Sequence, residues 1–442
     1  MPPVADALFR DSAPRSAIAH LAASQLFVVN GSRLYDVDDA TFAELETLLA
    51  SNDDDAIAER LTRLGVDAPP FIDDAAPSIP VRALSLAVAQ KCNLGCTYCY
   101  AQEGSFGAAP KSMALDVALQ SVELLLREIS PGERANLAFL GGEPLAGRAV
   151  LRAATKHAAA LAAQRDAKLT FSITTNGTLL TTDDAAFFEE HAFAVTISID
   201  GIGATHDALR PMKGGNGSYE RLIERVTPLL QKQRAMQVSA RVTVTPRNLE
   251  LPQTLRELLR LGFHSVGFSP MLASPTGRDE LARDDLAVML EQMVACGELF
   301  ERELLAGRRF AFANMVNALR ELHKGTHRPY PCGAGAAYLG VSADGALAAC
   351  HRFVGDEAGA MGDLTQGIDE RARNAWLTER HVHRQEPCRG CWARYLCGGG
   401  CHHEVIARGR PSCDYIRGWL HYALGAYSRL VARRPDWFES ES

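Results

Sequence analysis

The chain has 442 residues, 47% of them hydrophobic and 22% charged, with a formal net charge of −7. That length exceeds one ordinary core and predicts two or three domains of a globular protein. The mild acidity excludes the basic footprint of a nucleic-acid or anionic-membrane binder.

The opening stretch, MPPVADALFRDSAPRSAIAH, lacks a basic start followed by an apolar core, so no secretory signal is expected. No apolar run reaches the length of about 18 residues that spans a bilayer. These readings predict a cytoplasmic protein with no membrane or nucleic-acid partner. In that reducing compartment the eleven cysteines point to metal or cluster ligation rather than to a disulfide framework.

Residues 1–80 read as a small separate module. LFVVNGSRLYDV (26–37) predicts two short strands about Asn30-Gly31, a dipeptide that favours a type I′ hairpin. DATFAELETLLA places Phe42, Leu45, Leu48 and Leu49 on one helical face, and DDDAIAERLTRLG predicts a second helix stopping at Gly65. APPFIDDAAPSIP (68–80) is proline-rich and reads as a linker. Residues 81–305 form the next unit. Its strands are expected at 83–90, 135–142, 168–177, 194–201, 237–246 and 265–272, with helical patterns such as SVELLLREI and LRELLRLGF between them. Alternating strands and helices imply an α/β fold with a parallel sheet, and six units suit a partial (β/α)6 barrel. A helical stretch at 279–306 closes this unit, and a connector follows at 306–329. Residues 330–415 show little periodicity yet hold seven of the eleven cysteines, so metal–sulfur bonds are expected to hold them together. Residues 416–442 read as a C-terminal helix or tail.

KCNLGCTYCY places Cys92, Cys96 and Cys99 in C-x3-C-x2-C spacing at the end of the first barrel strand. Three thiolates leave one iron of a four-iron cluster open, whereas a structural zinc site wants a fourth donor. The other strand ends carry polar groups. Gly141 and Gly142 allow close approach to the backbone, and Glu143 offers a carboxylate to an ammonium group. Asn176, Ser198 and Asp200 suit a ribose and an amino acid, and Arg210 can pair with a carboxylate. A ligand with an amine, a carboxylate and a nucleoside fits them, and S-adenosylmethionine is such a ligand.

CNLGCTYC together with GGEP resembles the radical SAM superfamily. The resemblance implies a 4Fe–4S cluster on Cys92, Cys96 and Cys99. It also implies S-adenosylmethionine held by Leu94, Tyr98, Gly141, Gly142, Glu143, Asn176, Ser198, Asp200 and Arg210. In that family a 5′-deoxyadenosyl radical takes hydrogen from the substrate. Downstream, Cys332, Gly345 and Cys350, then C-x2-C-x5-C-x3-C from Cys388 to Cys401, then Cys413, resemble the seven-cysteine SPASM domain. That resemblance implies two auxiliary 4Fe–4S clusters and so three clusters in all. Cys332, Cys350 and Cys401 would bind the first, and Cys388, Cys391, Cys397 and Cys413 the second. A pair of zinc sites is the alternative. Cys296, inside the helical pattern LEQMVACGELF, reads as a core residue.

SPASM proteins mostly modify peptides and proteins. A hairpin followed by helices is similar to the winged-helix RiPP recognition element, which binds leader peptides by strand addition, though a structural cap would look alike. CHRFVG looks like the corresponding stretch of maturases that build thioether or cyclophane crosslinks. These include enzymes acting on six-cysteine peptides and on the quinohemoprotein amine dehydrogenase small subunit. His351 stands where anaerobic sulfatase-maturing enzymes carry an Asp base, and is the candidate base here. GAGAA after Cys332 lacks the eighth cysteine, which leaves the first auxiliary cluster one protein thiol short. The expected function is modification of a peptide or small protein, carrying a leader, by hydrogen abstraction and crosslink formation, fed by an external one-electron reductant. The alternatives are formylglycine formation and an iron–sulfur electron carrier, which would have no use for GGEP, TTNG and SIDG.

Overall fold

The computed structural model describes residues 3–69, 72 and 79–441. Most of the linker expected at 68–80 lies outside the described residues. The N-terminal region begins with α1 (Pro3–Asp11) and a three-stranded antiparallel sheet, β1 (Ala19–Ala22), β2 (Gln25–Val28) and β3 (Arg33–Asp36). Helices α2 (Asp39–Ser51) and α3 (Asp54–Leu64) follow. The Asp38 carboxylate accepts from Thr41 N–H, Asp53 caps α3 in the same way, and Gly65 ends α3 at φ +69°.

One expectation changes here. Val28 pairs with Arg33, so four residues make the turn, with Gly31 at φ +92° and Ser32 at φ +44°. A two-residue type I′ turn is not what forms. The longer turn lets Val29 bury itself with Trp392, Tyr395 and Leu396 of the cysteine-rich region. The region also packs on the rest of the chain. Trp392 Nε1 donates to the Ser12 carbonyl (2.9 Å), the Arg394 guanidinium donates to the Ala17 carbonyl, and α1 lies against two long helices described below.

The barrel runs β4 (Ala83–Gln90), β5 (Lys111–Ser112), α4 (Leu115–Leu126), β6 (Arg134–Gly141), α5 (Arg148–Gln164), β7 (Lys168–Thr175) and α6 (Thr182–Glu190). It continues with β8 (Ala194–Ser198), α7 (Ala204–Leu209), α8 (Tyr219–Lys232), β9 (Gln237–Val244), α9 (Leu251–Arg260) and β10 (Val266–Pro270). The order β10-β9-β8-β7-β6-β4 is parallel at every step, which is the expected six-unit partial barrel. Strand alternation sorts the residues: Val238, Ala240, Val242 and Val244 of β9 are buried with Leu251, Leu255 and Leu258 of α9. The intervening Ser239, Arg241 and Thr243 face the concave side. Functional groups gather where these strands end.

Helix α10 (Arg283–Leu305) follows, with Cys296 fully buried in the core as expected. The expected connector contains α11 (Ala313–His323), whose Asn314 side chain bonds both backbone groups of Phe268 on β10 (2.8 and 2.9 Å). The cysteine-rich region then forms β11 (Tyr338–Val341), β12 (Ala346–Ala348), β13 (Ala360–Asp363) and β14 (Gly367–Ile368). β11 pairs in parallel with the free side of β4, and β12 to β14 continue antiparallel, so this region extends the barrel sheet. Strands of two to four residues are too short to show a period in the sequence. Helices α12 (Glu370–Arg380), α13 (Arg394–Cys397), α14 (His402–Arg408), α15 (Cys413–Val431) and α16 (Pro435–Glu441) complete the chain. α15 starts at Cys413 and so crosses the boundary expected at 415. The helices touching α1 are α10 and α15.

Candidate cofactor and cluster sites

The loop after β4 is held on both flanks. Gly95 N–H donates to the Pro211 carbonyl (2.8 Å) and Lys213 N–H to the Asn93 carbonyl (3.0 Å), which ties it to the segment after α7. Leu94 is buried, and its N–H points at Cys92 Sγ (3.4 Å). Burial pushes the Cys96 thiol up to about 12 and raises that of Cys92, and each also feels Cys99, so the three sulfurs face a common space. Thiols this protonated become ligands when a metal displaces their protons.

The glycines of GGEP serve the chain itself. A Cβ on Gly141 (φ +136°) would lie 2.5 Å from the Ala89 carbonyl oxygen, and one on Gly142 would strike the Lys91 carbonyl. Close approach is required, but the approaching partner is the end of β4 rather than a ligand. Glu143 is likewise engaged. Its fully buried carboxylate accepts from Leu145 N–H (2.9 Å), Thr175 Oγ1 (2.7 Å) and Asn176 N–H (2.8 Å), which fastens the end of β6 to that of β7. Burial still raises its pKa.

Asn176 Nδ2 donates to Asn93 Oδ1 (3.0 Å) and points at Cys92 Sγ (3.6 Å), joining the β7 end to the cysteine loop. Ser198 is half-buried on the concave face. Asp200 is fully buried and engaged on both oxygens: Oδ1 accepts from Thr243 N–H (2.7 Å), and Oδ2 accepts from Tyr98 OH and Arg210 (3.4 Å). Arg210 Nη1 also donates to Tyr98 OH (2.7 Å). Within the chain, this carboxylate orients Tyr98 and Arg210. Arg210 keeps a buried Nε without a partner among the described residues. That orphan donor, beside Cys96 in the electrostatics, fits an anionic ligand such as an amino-acid carboxylate.

Residues 86–259 match the model of the radical SAM superfamily. The chain carries a radical SAM domain. Members of that superfamily use a 4Fe–4S cluster and S-adenosylmethionine. A relative named serine-type anaerobic sulfatase-maturating enzyme, from Klebsiella aerogenes, is 24% identical, covering 81% of this chain and 94% of its own. Among solved structures, native anSMEcpe with bound AdoMet and Cp18Cys peptide has a TM-score of 0.64 at 20% identity, covering 81% of this chain and 99% of its own. Streptococcus suis SuiB bound to precursor peptide SuiA has a TM-score of 0.53 at 13% identity, covering 89% and 96%. At these identities both structures report a shared fold.

Beyond the radical SAM domain the remaining cysteines fall into two groups. Burial raises Cys332 and brings Cys350 to about 12, and Cys401 acts on both. Burial likewise brings Cys388 to about 12, and Cys391, Cys397 and Cys413 each act on it. Cys388, Cys391, Cys397 and Cys413 line a pocket, which Cys401 also borders. Among the described residues no three His, Cys, Asp or Glu side chains converge on one metal ion. Zinc needs its donors at one point, whereas in a 4Fe–4S cluster each cysteine holds a different iron. The donor sets fit clusters.

His351 lies between the radical SAM domain and the cysteine-rich region. Its Nδ1 shares a hydrogen bond with Tyr338 OH (2.9 Å), which also meets Ser85 Oγ (2.7 Å) on β4. Burial, with Arg352 next, lowers its pKa to about 4, so it is neutral at pH 7 and a weak base. Sequence reasoning missed its neighbours. Arg352 pairs with Glu404 (2.8 Å), approaches Cys401 Sγ (3.6 Å) and covers the ring of Tyr100 (5.2 Å). Tyr100 ends the cysteine motif and Arg352 follows His351, so adjacency to quoted motifs was the available signal.

Proposed function

We propose that this protein is a radical SAM enzyme that modifies a peptide or small protein by hydrogen abstraction and crosslink formation. The ten cysteines hold three 4Fe–4S clusters, in sets of three, three and four. The observation that carries the reading is the set of three thiols gathered at the end of β4, with two further thiol groups in the region that extends the same sheet. When bound, the clusters and S-adenosylmethionine supply the electron and the carbon radical. The chain supplies position: Asp200 and Tyr98 orient Arg210 toward the amino-acid carboxylate, and Asn176 and Leu94 hold the cysteine loop. Peptides accompany both solved neighbours, anSMEcpe with Cp18Cys peptide and SuiB with SuiA, which supports a peptide substrate. The N-terminal region is proposed to bind the leader.

Formylglycine formation is the second reading, favoured by the sulfatase-maturating relatives. Against it stands the residue at position 351, a His where those enzymes carry an Asp base. The test is anaerobic reconstitution, reduction with S-adenosylmethionine present, and assay for 5′-deoxyadenosine. Its absence rejects the enzyme. A product peptide that reacts with hydrazine carries an aldehyde and selects formylglycine; an inert product lighter by two hydrogens selects the crosslink.

A further inference from the structure

Arg241 takes no part in the arrangement above. It sits on the concave side of β9, in register with Ser198 on β8 and Gly267 on β10. That face is otherwise built from short side chains, including Ser172, Thr174, Thr196 and Ser239. The guanidinium reaches across to β10, where Nη1 lies 4.0 Å from the position a Cβ on Gly267 would take. The side chain is open to solvent yet ringed by protein, as in a concavity, and burial lowers its pKa.

Its charge is uncompensated. No hydrogen bond or ion pair from its guanidinium is formed among the described residues. The charged groups acting on it are Glu404 and Arg352, and these pair with each other (2.8 Å). One guanidinium therefore lies on the concave face, near the Glu404–Arg352 pair, with no partner of its own among the described residues. Water reaches this arginine, but the protein around it lowers the local dielectric below that of a flat surface, which favours a bound anion.

The geometry points to Arg241 as a specificity residue that receives a carboxylate of the peptide substrate, an Asp or Glu side chain close to the modified position. This inference rests on the peptide-modifying reading. The cofactor's own carboxylate is the other source of that chemistry. The charged neighbours argue against it: Cys96, Tyr98 and Asp200 act on Arg210, whereas Glu404 and Arg352 act on Arg241. A planar guanidinium takes a carboxylate through two parallel hydrogen bonds, which distinguishes Glu from Gln.

The test uses reconstituted full-length protein with S-adenosylmethionine and two probes, acetyl-Gly-Glu-Gly-amide and acetyl-Gly-Gln-Gly-amide, with binding read by ligand-observed NMR. The wild type should prefer the Glu peptide by roughly fivefold or more. Arg241→Gln should abolish the preference, and Arg241→Lys, which keeps the charge and guards against misfolding, should retain part of it. Equal binding of both peptides to the wild type, or a preference that survives Arg241→Gln, overturns the assignment. So does a loss of S-adenosylmethionine affinity in Arg241→Gln as large as the loss of peptide preference, which would give the guanidinium to the cofactor. Failure of the enzyme reading shows separately, as no 5′-deoxyadenosine from the wild type. An Arg241-dependent Glu preference would stand even then.

Discussion

Cys92, Cys96 and Cys99 hang from β4, a strand buried along nearly its whole length between two parallel neighbours. Cys388, Cys391, Cys397 and Cys413 instead ride on turns and helix ends around a cavity, with the N-terminal region packed behind them. In the first case a finished sheet presents the thiols, and the fold does not need the metal. In the second the thiols surround a pocket, and the cluster proposed there would make metal binding part of folding. On that proposal the same chemistry is a passenger in one region and a structural element in the other.

The sharpest way to break this contrast is to remove each group in turn. Cys92, Cys96 and Cys99 replaced together by Ala should abolish 5′-deoxyadenosine formation and remove about four of roughly twelve irons, with little change in melting temperature. Cys388→Ala with Cys391→Ala should also cost about four irons but leave residues 385–412 open to limited proteolysis. Equal protease resistance in the two variants would show that sulfur ligation does not hold the cysteine-rich region.

Trp392→Ala probes the support behind the cavity. Its ring stacks on His20 at 3.8 Å and its Nε1 bonds Ser12. Loss of a buried Trp costs about 3–5 kcal/mol, to be measured by denaturant titration of the holoprotein. Glu143→Ala tests the barrel side. It orphans three buried donors, at about 1–3 kcal/mol for an unsatisfied group, and should weaken S-adenosylmethionine binding roughly tenfold by loosening Asn176. Glu143→Gln keeps an acceptor and should lose less; equal loss would mean that charge, not hydrogen bonding, matters there.

The smallest effect is a pH dependence. His206 accepts from Asp200 N–H (3.2 Å) and meets Ser218 Oγ (3.0 Å), which donates to the Arg210 carbonyl. Burial lowers its pKa from 6.5 to about 3, so the folded protein resists a proton that the unfolded chain accepts. The stability it contributes is fully present above pH 6.5. It is lost as pH falls toward 3, at roughly 1.4 kcal/mol per pH unit. His206→Gln should flatten that slope in urea titrations between pH 7 and pH 5; an unchanged slope removes His206 as its source.

The six barrel strands were legible because each alternates or runs apolar for five to eight residues between clear stops. The cysteine groups were legible from spacing. The partners of Glu143 and Asp200 were not, because a carboxylate at a strand end looks the same whether it faces a ligand or a neighbouring backbone. Nor was the stacking of His20 on Trp392, which joins residues far apart in the chain. Arg241 was hidden by its own regularity, one more polar position in an alternating strand.

The ladder between β4 and β11 runs from Ala83↔Tyr338 to Leu86↔Val341. Without β11, β4 would become an edge strand with unpaired backbone groups and the apolar sequence ALSLAVAQ. Such an edge is a template for pairing with other chains. A barrel expressed alone would therefore be expected to aggregate, and the cysteine-rich region acts as a sheath that keeps the barrel soluble as well as a holder of thiols.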